Sequence, residues 1–450
     1  MKKLVVLLLI GLNFSTFAQE HFAGIGTSRR ISLLNGTFNP AEFANLSSKV
    51  DIQFFATSFN VSNNKISFSD ISSDENFEDL LFRGNEAVNL NFEAEILGPG
   101  VAFRINKWGF GWSTKAYAKF RLVDIDVNIG DAIVNEGLNS LLNTTVLDRN
   151  NNQRIIGTSY SEMAFSVARN LWETDKYKLN GGATFKLLFP GSYANFGADR
   201  FKGTITTIGG NTFLSDANAN LNFSYSGNLA DDYSNFDDYS SSLFGGLNGF
   251  AVDFGASFTI KDEKEKDDYK FNSGFSFRNL GSMTFKDDNN SSTNYALNIP
   301  ANESLNLNQF DGVNSIRDIE QILLDSGYLT STTQNNDFKV NLPAVLNVYA
   351  DLKIISKLYA SAFWQQKLTD NEKNDQVTAQ NVFTLTPRFS LKHFEIFTPL
   401  SQTEIAGFNA GFGLRAYGFF IGSGSAFTAL LNDSKQADFY FGYRLGLGKI

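Results

Sequence analysis

The sequence predicts an all-β fold, a single transmembrane antiparallel β-barrel of about 14 strands with long extracellular loops. Three observations predict it: an export signal, the lack of a later apolar run long enough for a spanning helix, and repeated alternation of apolar and polar residues. In hydrocarbon, every backbone N–H and C=O must be paired internally, and only helices and closed barrels achieve this. A chain that enters a membrane without spanning helices must therefore close into a barrel.

The N-terminus has the layout of a secretory signal peptide. Basic Lys2 and Lys3 precede the apolar run 4–12, and the small residues Thr16 and Ala18 have the spacing of a cleavage site. The run is shorter than the roughly 20 apolar residues that a spanning helix needs. The chain contains no Cys, so lipoprotein processing is excluded. We therefore predict a signal peptide at residues 1–18, an N-terminal periplasmic or lumenal segment at 19–48 and a barrel at 49–450.

Composition favours a barrel wall over a soluble globule. Aromatic residues make up 14% of the chain, yet the mean hydropathy is only -0.17. A wall with one apolar and one polar face combines these two properties, because strong local alternation averages to bland hydropathy. The formal charge of -9 argues against nucleic-acid binding, which needs a basic surface. A secreted, soluble β-rich protein is the alternative.

The alternation is clearest in the last strand. Apolar side chains from Phe439 to Leu447 occupy odd positions, while Tyr440 and Arg444 belong to the small or polar even row. Similar two-sided patterns run through 109–122, 252–260 and 346–354. Cations facing lipid would be costly, so we expect the charged rows to face the lumen. The candidate lumen-facing charges are Lys115, Lys119, Arg121, Asp351, Arg415 and Arg444, which could either tune solute passage or pair with one another in a closed lumen.

Connection lengths set the expected orientation. The apolar face shifts by one residue at Gly98-Pro99-Gly100, which favours a bulge inside one strand, 87–106, over a hairpin. With that bulge, short and long connections alternate so that the short ones are periplasmic and the long ones extracellular. Both termini are then periplasmic. We count 14 strands, or 16 if residues 201–208 and 219–226 form a wall hairpin.

Two long connections carry helical patterns. Val134, Leu138 and Leu141 recur at helical spacing, as do Ile316, Ile319 and Leu323. Short amphipathic helices there could plug or cap the barrel mouth, or pack on the loop side.

Residues for catalysis or metal binding are sparse. The two histidines are His21 and His393, the latter within a predicted strand at 389–397, and no Cys nucleophile exists. The stretches that begin at Asp148 and Asp216 resemble calcium loops but lack the required Gly and Glu. Glycines from Gly407 to Gly413 lie within strand alternation rather than a nucleotide loop. We therefore predict no enzyme activity, no cofactor and no metal site.

Several short patterns, in order, resemble an uncharacterised family of Bacteroidota outer-membrane barrels. The patterns are Asn39-Pro40-Ala41-Glu42-Phe43-Ala44, Gly98-Pro99, Asn279-Leu280-Gly281 (with Asn for the usual Asp), Leu342-Pro343, Thr386-Pro387-Arg388, Thr398-Pro399-Leu400 and Gly411 to Arg415. This family is distantly similar to FadL-type transporters and to barrel subunits of type IX secretion. In FadL-type transporters the N-terminal segment enters the lumen as a hatch. The resemblance implies the same for residues 19–48, with Asn39 and Pro40 at the hatch turn.

Two functions follow as expectations. The first is passage of small or hydrophobic molecules across the outer membrane of a Gram-negative cell, through a partly plugged lumen. The alternative is a non-transporting barrel that serves as scaffold or partner in a surface assembly or secretion complex. We expect contact with outer-membrane lipid and lipopolysaccharide, insertion by the barrel-assembly machinery, protein partners at the extracellular loops and no nucleic acid.

Overall fold

The computed structural model describes residues 21–71, 76–134, 142–232, 245–265, 268–286, 289–431 and 434–448. The predicted signal peptide and the positions of Leu138 and Leu141 lie outside these residues. The strands are β1 Val50–Asn63, β2 Val88–Ile105, β3 Trp108–Ile125, β4 Leu142–Asp148, β5 Gln153–Glu173, β6 Tyr177–Ile208, β7 Asn211–Ser226, β8 Gly249–Lys261, β9 Tyr269–Phe285, β10 Ser291–Ile299, β11 Leu305–Asn306, β12 Leu329–Asn335, β13 Phe338–Asn341, β14 Val345–Ile355, β15 Leu358–Lys367, β16 Val382–Ser390, β17 Phe394–Phe397, β18 Leu400–Thr403, β19 Gly407–Ala410, β20 Phe412–Ala416, β21 Phe419–Ser423 and β22 Gln436–Leu447.

Among the described residues, 14 strand positions form a closed antiparallel barrel. Strands β17 and β18 together occupy one of these positions, and β19 and β20 together occupy another. Strand β22 is hydrogen-bonded to β1 and closes the wall. The predicted count of 14 is confirmed. The stretches 201–208 and 219–226 belong to β6 and β7 beyond the wall, so the 16-strand alternative is wrong.

The predicted bulge is also confirmed. Strand β2 is continuous from Val88 to Ile105, and its register against β3 shifts between Leu97 and Gly100. The shift moves the inward-facing set of side chains by one residue, as the sequence alternation requires. Alternation places apolar side chains on the outside throughout the wall. Exposed examples are Phe54, Phe59, Ile96, Trp108, Phe165, Phe185, Phe254, Phe275, Val348, Trp364, Leu385, Phe412, Phe439 and Leu445.

Of the six α-helices in the described residues, one precedes the first wall strand and five lie in the connections between wall strands. The α-helices are Ser32–Phe38, Phe68–Ile71, Phe77–Leu81, Val127–Val134, Ile316–Asp325 and Ala426–Leu430, and the 3-10 helices are Arg29–Ile31, Pro40–Asn45, Gly227–Ala230 and Leu307–Phe310. No helix in the described ranges is both long and apolar enough to cross a membrane.

The sheet continues beyond one end of the barrel, and we call this part the extension sheet. Strand β6 pairs with β8 up to Leu188 and, from Tyr193 onward, with β7 instead. Strands β4, β7, β10 and β12 complete this extension sheet. Strand β6 therefore continues outward beyond the wall, because hairpin pairing with β7 replaces pairing with β8.

The predicted helix at 316–325 packs on the extension sheet rather than in the lumen. Ile316 and Leu323 join an apolar cluster with Phe223 of the sheet. Glu320 accepts hydrogen bonds from the hydroxyls of Tyr225 (3.0 Å) and Tyr295 (2.7 Å). Burial beside this carboxylate raises the pKa of Tyr225. The sequence left open whether this helix plugs or caps the barrel mouth or packs on the loop side, and it packs on the loop side.

The stretch 389–397 is not one strand, so that prediction is wrong. Strand β16 ends at Ser390 and β17 begins at Phe394, which leaves His393 exposed in a short turn. The Leu391 amide donates to the Phe394 carbonyl at 2.7 Å and closes the turn. Sequence periodicity continues through the turn, because Phe389 and Phe397 both fit an alternating row.

A candidate functional site in the plugged lumen

Charged side chains that point into the barrel form contacts between neighbouring strands. Lys115 contacts Glu95 at 2.7 Å, and Lys119 contacts Glu93 at 3.1 Å. Arg121 instead donates to the carbonyl of Ala379 at 3.0 Å. These five side chains are buried. Burying an ion costs several kcal/mol unless it is paired, and the two glutamates reduce that cost for the two lysines.

The remaining candidate lumen charges are paired as well. Asp351 forms an ion pair with Arg388, and Arg415 contacts Glu395 at 2.6 Å. Arg444 forms an ion pair with Asp51 of the neighbouring strand. All six sequence-predicted side chains are buried, five of them in ion pairs and Arg121 on a backbone carbonyl.

Sequence reasoning missed the partners of these charges. Asp51, Glu93, Glu95, Arg388 and Glu395 are all buried inside the barrel. The same period-2 signal could have found Glu93 and Glu95, which alternate with apolar neighbours in β2. Arg388 and Glu395 lie on either side of the turn that the sequence did not reveal.

The segment 21–48 lies inside the barrel, and we call it the plug. Its apolar side chains are fully enclosed, including Phe22, Ile25, Leu34 and Phe43. The short helix Ser32–Phe38 packs on β1 and β2, while the 3-10 helix Pro40–Asn45 packs on β3, β5, β6 and β8. The plug therefore contacts many strands around the barrel.

Asn39 and Pro40 mark the turn between the two helices of the plug. The Asn39 side chain accepts from the Ala41 amide at 3.0 Å, which caps the 3-10 helix. It also donates to the Ala256 carbonyl at 2.9 Å and to the Tyr349 hydroxyl at 3.3 Å. One amide side chain thus caps its own helix and ties the plug to two wall strands.

Glu42 is the second polar anchor. It accepts hydrogen bonds from the hydroxyl of Tyr349 (2.5 Å), and from the side chains of Asn45 (2.9 Å) and Asn272 (3.3 Å). Glu42 is 1% exposed, so these donors substitute for water around its carboxyl group. Lys178 of the wall adds a bond from its ammonium to the Ala44 carbonyl at 3.0 Å.

Glycines in the wall make room for the plug. A Cβ atom on Gly109 would lie 2.0 Å from the Phe43 carbonyl oxygen, and one on Gly182 would lie 2.5 Å from the Pro40 carbonyl carbon. One on Gly255 would meet the Asn39 amide oxygen at 2.0 Å. Inward-facing wall positions are therefore fitted to the backbone of the plug.

The two histidines lie in different surroundings. His21 is at the start of the described plug, with ring nitrogens 3.0 Å from Ser58 Oγ and 3.0 Å from Glu93. His393 stacks on Tyr417 at the exposed turn. His21 therefore joins the Ser58 hydroxyl to the Glu93 carboxylate, and all three side chains are buried. Within the described ranges, no group of three His, Cys, Asp or Glu residues could hold a metal ion.

The wall is interrupted between β19 and β22, at a place that we call the seam. Strand β21 ends at Ser423, so residues 407–410 and 436–439 face each other without a strand between them. The helix Ala426–Leu430 fills this gap. Thr428 accepts from the Ala410 amide at 3.4 Å, and Asn409 donates to Gln436 at 3.3 Å.

The plug begins directly behind the seam. Phe22 packs against the rings of Phe420 and Tyr440 at 6.3 and 5.7 Å between centroids. The Tyr440 hydroxyl donates to the Ala23 carbonyl at 2.7 Å. A Cβ atom on Gly424, beside the seam helix, would lie 3.0 Å from the Ala23 side chain.

The interior space is divided along the barrel. A cavity of about 720 Å³ opens at the end with the short turns. A pocket of about 50 Å³ remains in the middle, beside His21 and Tyr160. Two cavities of about 480 and 540 Å³ lie toward the extension sheet and long loops. Polar and charged side chains line most of each large cavity.

A family model described as "Family of unknown function (DUF5723)" matches residues 40–424. No curated protein matches the chain. The family match therefore covers most of the chain, from Pro40 in the plug to Gly424 beside the seam. The function of the family is unknown.

Solved structures of similar fold include three hydrocarbon channels or transporters. They are a TodX deletion mutant described as a monoaromatic hydrocarbon channel (9% identity, 96% of this chain and 95% of that chain, TM-score 0.44), the Ralstonia pickettii toluene transporter TbuX (10%, 97% and 100%, 0.42) and the Pseudomonas putida toluene transporter TodX (8%, 96% and 98%, 0.42).

Proposed function

The chain belongs to the DUF5723 family of unknown function, and we propose that it is an outer-membrane barrel whose lumen is a gated passage. The cargo is a small molecule, and the plug is the gate. The observation that carries this proposal is the plug itself, a separate chain segment that fills the lumen and is held by polar anchors. Among the described residues the plug contributes no strand to the wall, so it can move without breaking the hydrogen bonds between wall strands.

The outer surface supports a membrane location. Exposed Phe, Trp, Leu and Ile side chains alternate with buried polar ones on nearly every wall strand. Apolar surface of this extent is unfavourable in water and favourable in hydrocarbon. The short turns and the first described residue of the wall lie at one end of the barrel. Outer-membrane barrels place short turns in the periplasm, so both termini are assigned there.

The lumen chemistry supports a polar cargo. The large cavities at both ends are lined mainly by Asn, Asp, Glu, Lys and Arg side chains. A small polar molecule could replace water in such a lining, whereas a hydrophobic one would leave these groups unsatisfied. One feature, the seam, favours a hydrophobic cargo. There, side chains and one helical turn replace the backbone hydrogen bonds between wall strands.

Single-channel conductance in planar bilayers tests the proposal. The full chain is compared with a variant that lacks residues 21–48, and heat-dependent gel mobility verifies that both barrels are folded. We expect the full chain to be silent and the shortened one to conduct. If both folded barrels are silent, the passage function is wrong.

The second candidate, a scaffold or partner subunit, is favoured by the extension sheet. Strand β12 pairs with β10, and six of its seven residues are exposed. An exposed strand of this kind can accept a further strand from a partner. Crosslinking of cysteines introduced along 330–334 in intact cells distinguishes the two, since a dedicated partner would give one crosslinked product and a transporter none.

A further inference from the structure

We propose that the cavity at the short-turn end binds a water-soluble oxyanion, a carboxylate- or phosphate-bearing small molecule, between the plug and the wall. Its lining contains seven cationic and four acidic side chains. The cationic residues are Arg29, Arg30, Arg104, Lys178, Lys261, Arg388 and Lys392.

The acidic residues of the cavity already have partners. Glu173 contacts Lys261 at 2.6 Å, and Glu395 contacts Arg415 at 2.6 Å. Glu265 and Asp268 lie 3.1 and 3.0 Å from Lys353. Each carboxylate is therefore in contact with a cation, and Lys353 and Arg415 lie outside the lining.

Five cations of the cavity have no carboxylate within ion-pair distance among the described residues. Arg29 lies over the ring of Tyr269, 5.1 Å from its centroid. Arg104 donates to the Asn106 carbonyl at 3.2 Å, and Lys178 donates to the Ala44 carbonyl. Arg30 and Lys392 complete the set. The neutral partners of Arg104 and Lys178 each satisfy one N–H group and leave both cations without a carboxylate in ion-pair contact.

Two buried cations strengthen the case for an anionic ligand. Lys178 is 6% exposed, and Arg388, also buried, has its Nη1 atom without a hydrogen-bond partner. Like charges held close together in one cavity repel one another. An oxyanion would relieve this repulsion and accept several charge-assisted hydrogen bonds, and guanidinium groups suit carboxylate and phosphate geometry.

The site would bridge the plug and the wall. Arg29 and Arg30 belong to the plug, whereas Arg104 and Lys178 belong to β2 and β6. A bound anion therefore stabilises the plugged state by its binding free energy. The site depends on the closed arrangement and is independent of whether the barrel conducts.

Isothermal titration of the full-length barrel with citrate tests the site, with chloride at matched ionic strength as the blank. We expect saturable binding of one citrate per chain, at least tenfold weaker in Arg29→Gln combined with Arg104→Gln. Lys202→Gln is the matched control, since Lys202 lies in the extension sheet and contacts Asp148 at 3.0 Å. Its affinity should equal that of the unmodified chain.

Hydrogen exchange provides the second readout. Citrate should slow amide exchange in residues 29–46, and it should not do so in the double variant. If the double variant does not fold, the single Arg29→Gln is used, with an expected loss of at least threefold. Absence of saturable binding, or equal affinity in the charge-removing variants, overturns the proposal, whatever the conductance experiment gives.

Discussion

The hydroxyl of Tyr440 donates a 2.7 Å hydrogen bond to the carbonyl oxygen of Ala23 and so joins the last wall strand to the start of the plug. Both residues are buried, and Tyr440 lies at the base of the seam. This bond connects the two features that distinguish the barrel from a uniform cylinder. Movement of the plug must break it, and that movement would remove the packing behind the seam.

Replacing Tyr440 by Phe should loosen the start of the plug. The substitution removes the hydroxyl and leaves the Ala23 carbonyl buried without that donor, at a cost of about 1–3 kcal/mol to the plugged state. Hydrogen exchange in residues 22–26 should therefore be faster by about tenfold or more. Tyr443→Phe is the control, because Tyr443 is exposed on the outer face. Equal exchange in both variants would contradict the anchoring role of Tyr440.

Glu42 should tolerate Gln better than Ala. Glu42→Gln keeps an oxygen that can accept from Tyr349, whereas Glu42→Ala leaves Tyr349, Asn45 and Asn272 without this acceptor. We expect protease cleavage within residues 39–48 to increase in the Ala variant much more than in the Gln variant, since unsatisfied buried donors cost about 1–3 kcal/mol each. Similar protection of both variants would show that packing alone holds the plug.

Thr428→Val should weaken the seam without changing side-chain volume greatly. The hydroxyl accepts from the Ala410 amide and is 3.4 Å from Asn409 Oδ1. Its loss exposes the edge of β19, so the Ala410 amide should exchange faster. The amide of Phe420 lies in the regular β21 ladder and is the internal reference. If both amides keep their original rates, the seam is not held by Thr428.

The short turn at 262–268 should respond to acid. Hydrogen bonding from Lys353, followed by backbone amides, lowers the pKa of Asp262 from its usual value to about 2. A depressed pKa means that the contact with Lys353 is fully present above the unfolded value near 4, and is lost as the pH falls from about 4 through 2. A carboxyl-carbon NMR titration of Asp262 checks this, with Lys353→Met as the comparison. A midpoint near 4 in the unmodified protein would contradict the contact.

Strand alternation predicted the wall because inward and outward side chains in a membrane barrel face opposite chemistry. It placed Lys115, Asp351 and Arg444 on the inner row and identified the bulge at Gly98–Gly100. It could not reveal which carboxylate each cation meets, since partners such as Asp51 and Arg444 are almost 400 positions apart in the chain. Pairing across barrel closure has no local signal.

Three other features of the structure could not be predicted from the sequence, each for its own reason. The continuation of β6 beyond the wall has the same alternation as a wall strand, so the sequence does not mark where the wall ends. The turn at His393 lacks Gly or Pro, and the alternation continues across it. The wall glycines that fit the plug, such as Gly182, look like ordinary small residues until the Pro40 backbone is seen against them.

The most direct test displaces the plug without deleting it. Gly182→Ala adds a methyl group where the Pro40 backbone lies, whereas Gly181→Ala adds one toward Leu171 on the outer face. Asn45→Cys and Ser257→Cys, at side chains 3.4 Å apart in a chain without other cysteines, provide a reversible crosslink in each. Single-channel conductance should appear for the Gly182→Ala barrel when reduced and vanish when oxidised, and the Gly181→Ala barrel should stay silent in both states. Silence of the reduced Gly182→Ala barrel, with hydrogen exchange showing residues 40–44 exposed, would contradict the plug as a gate.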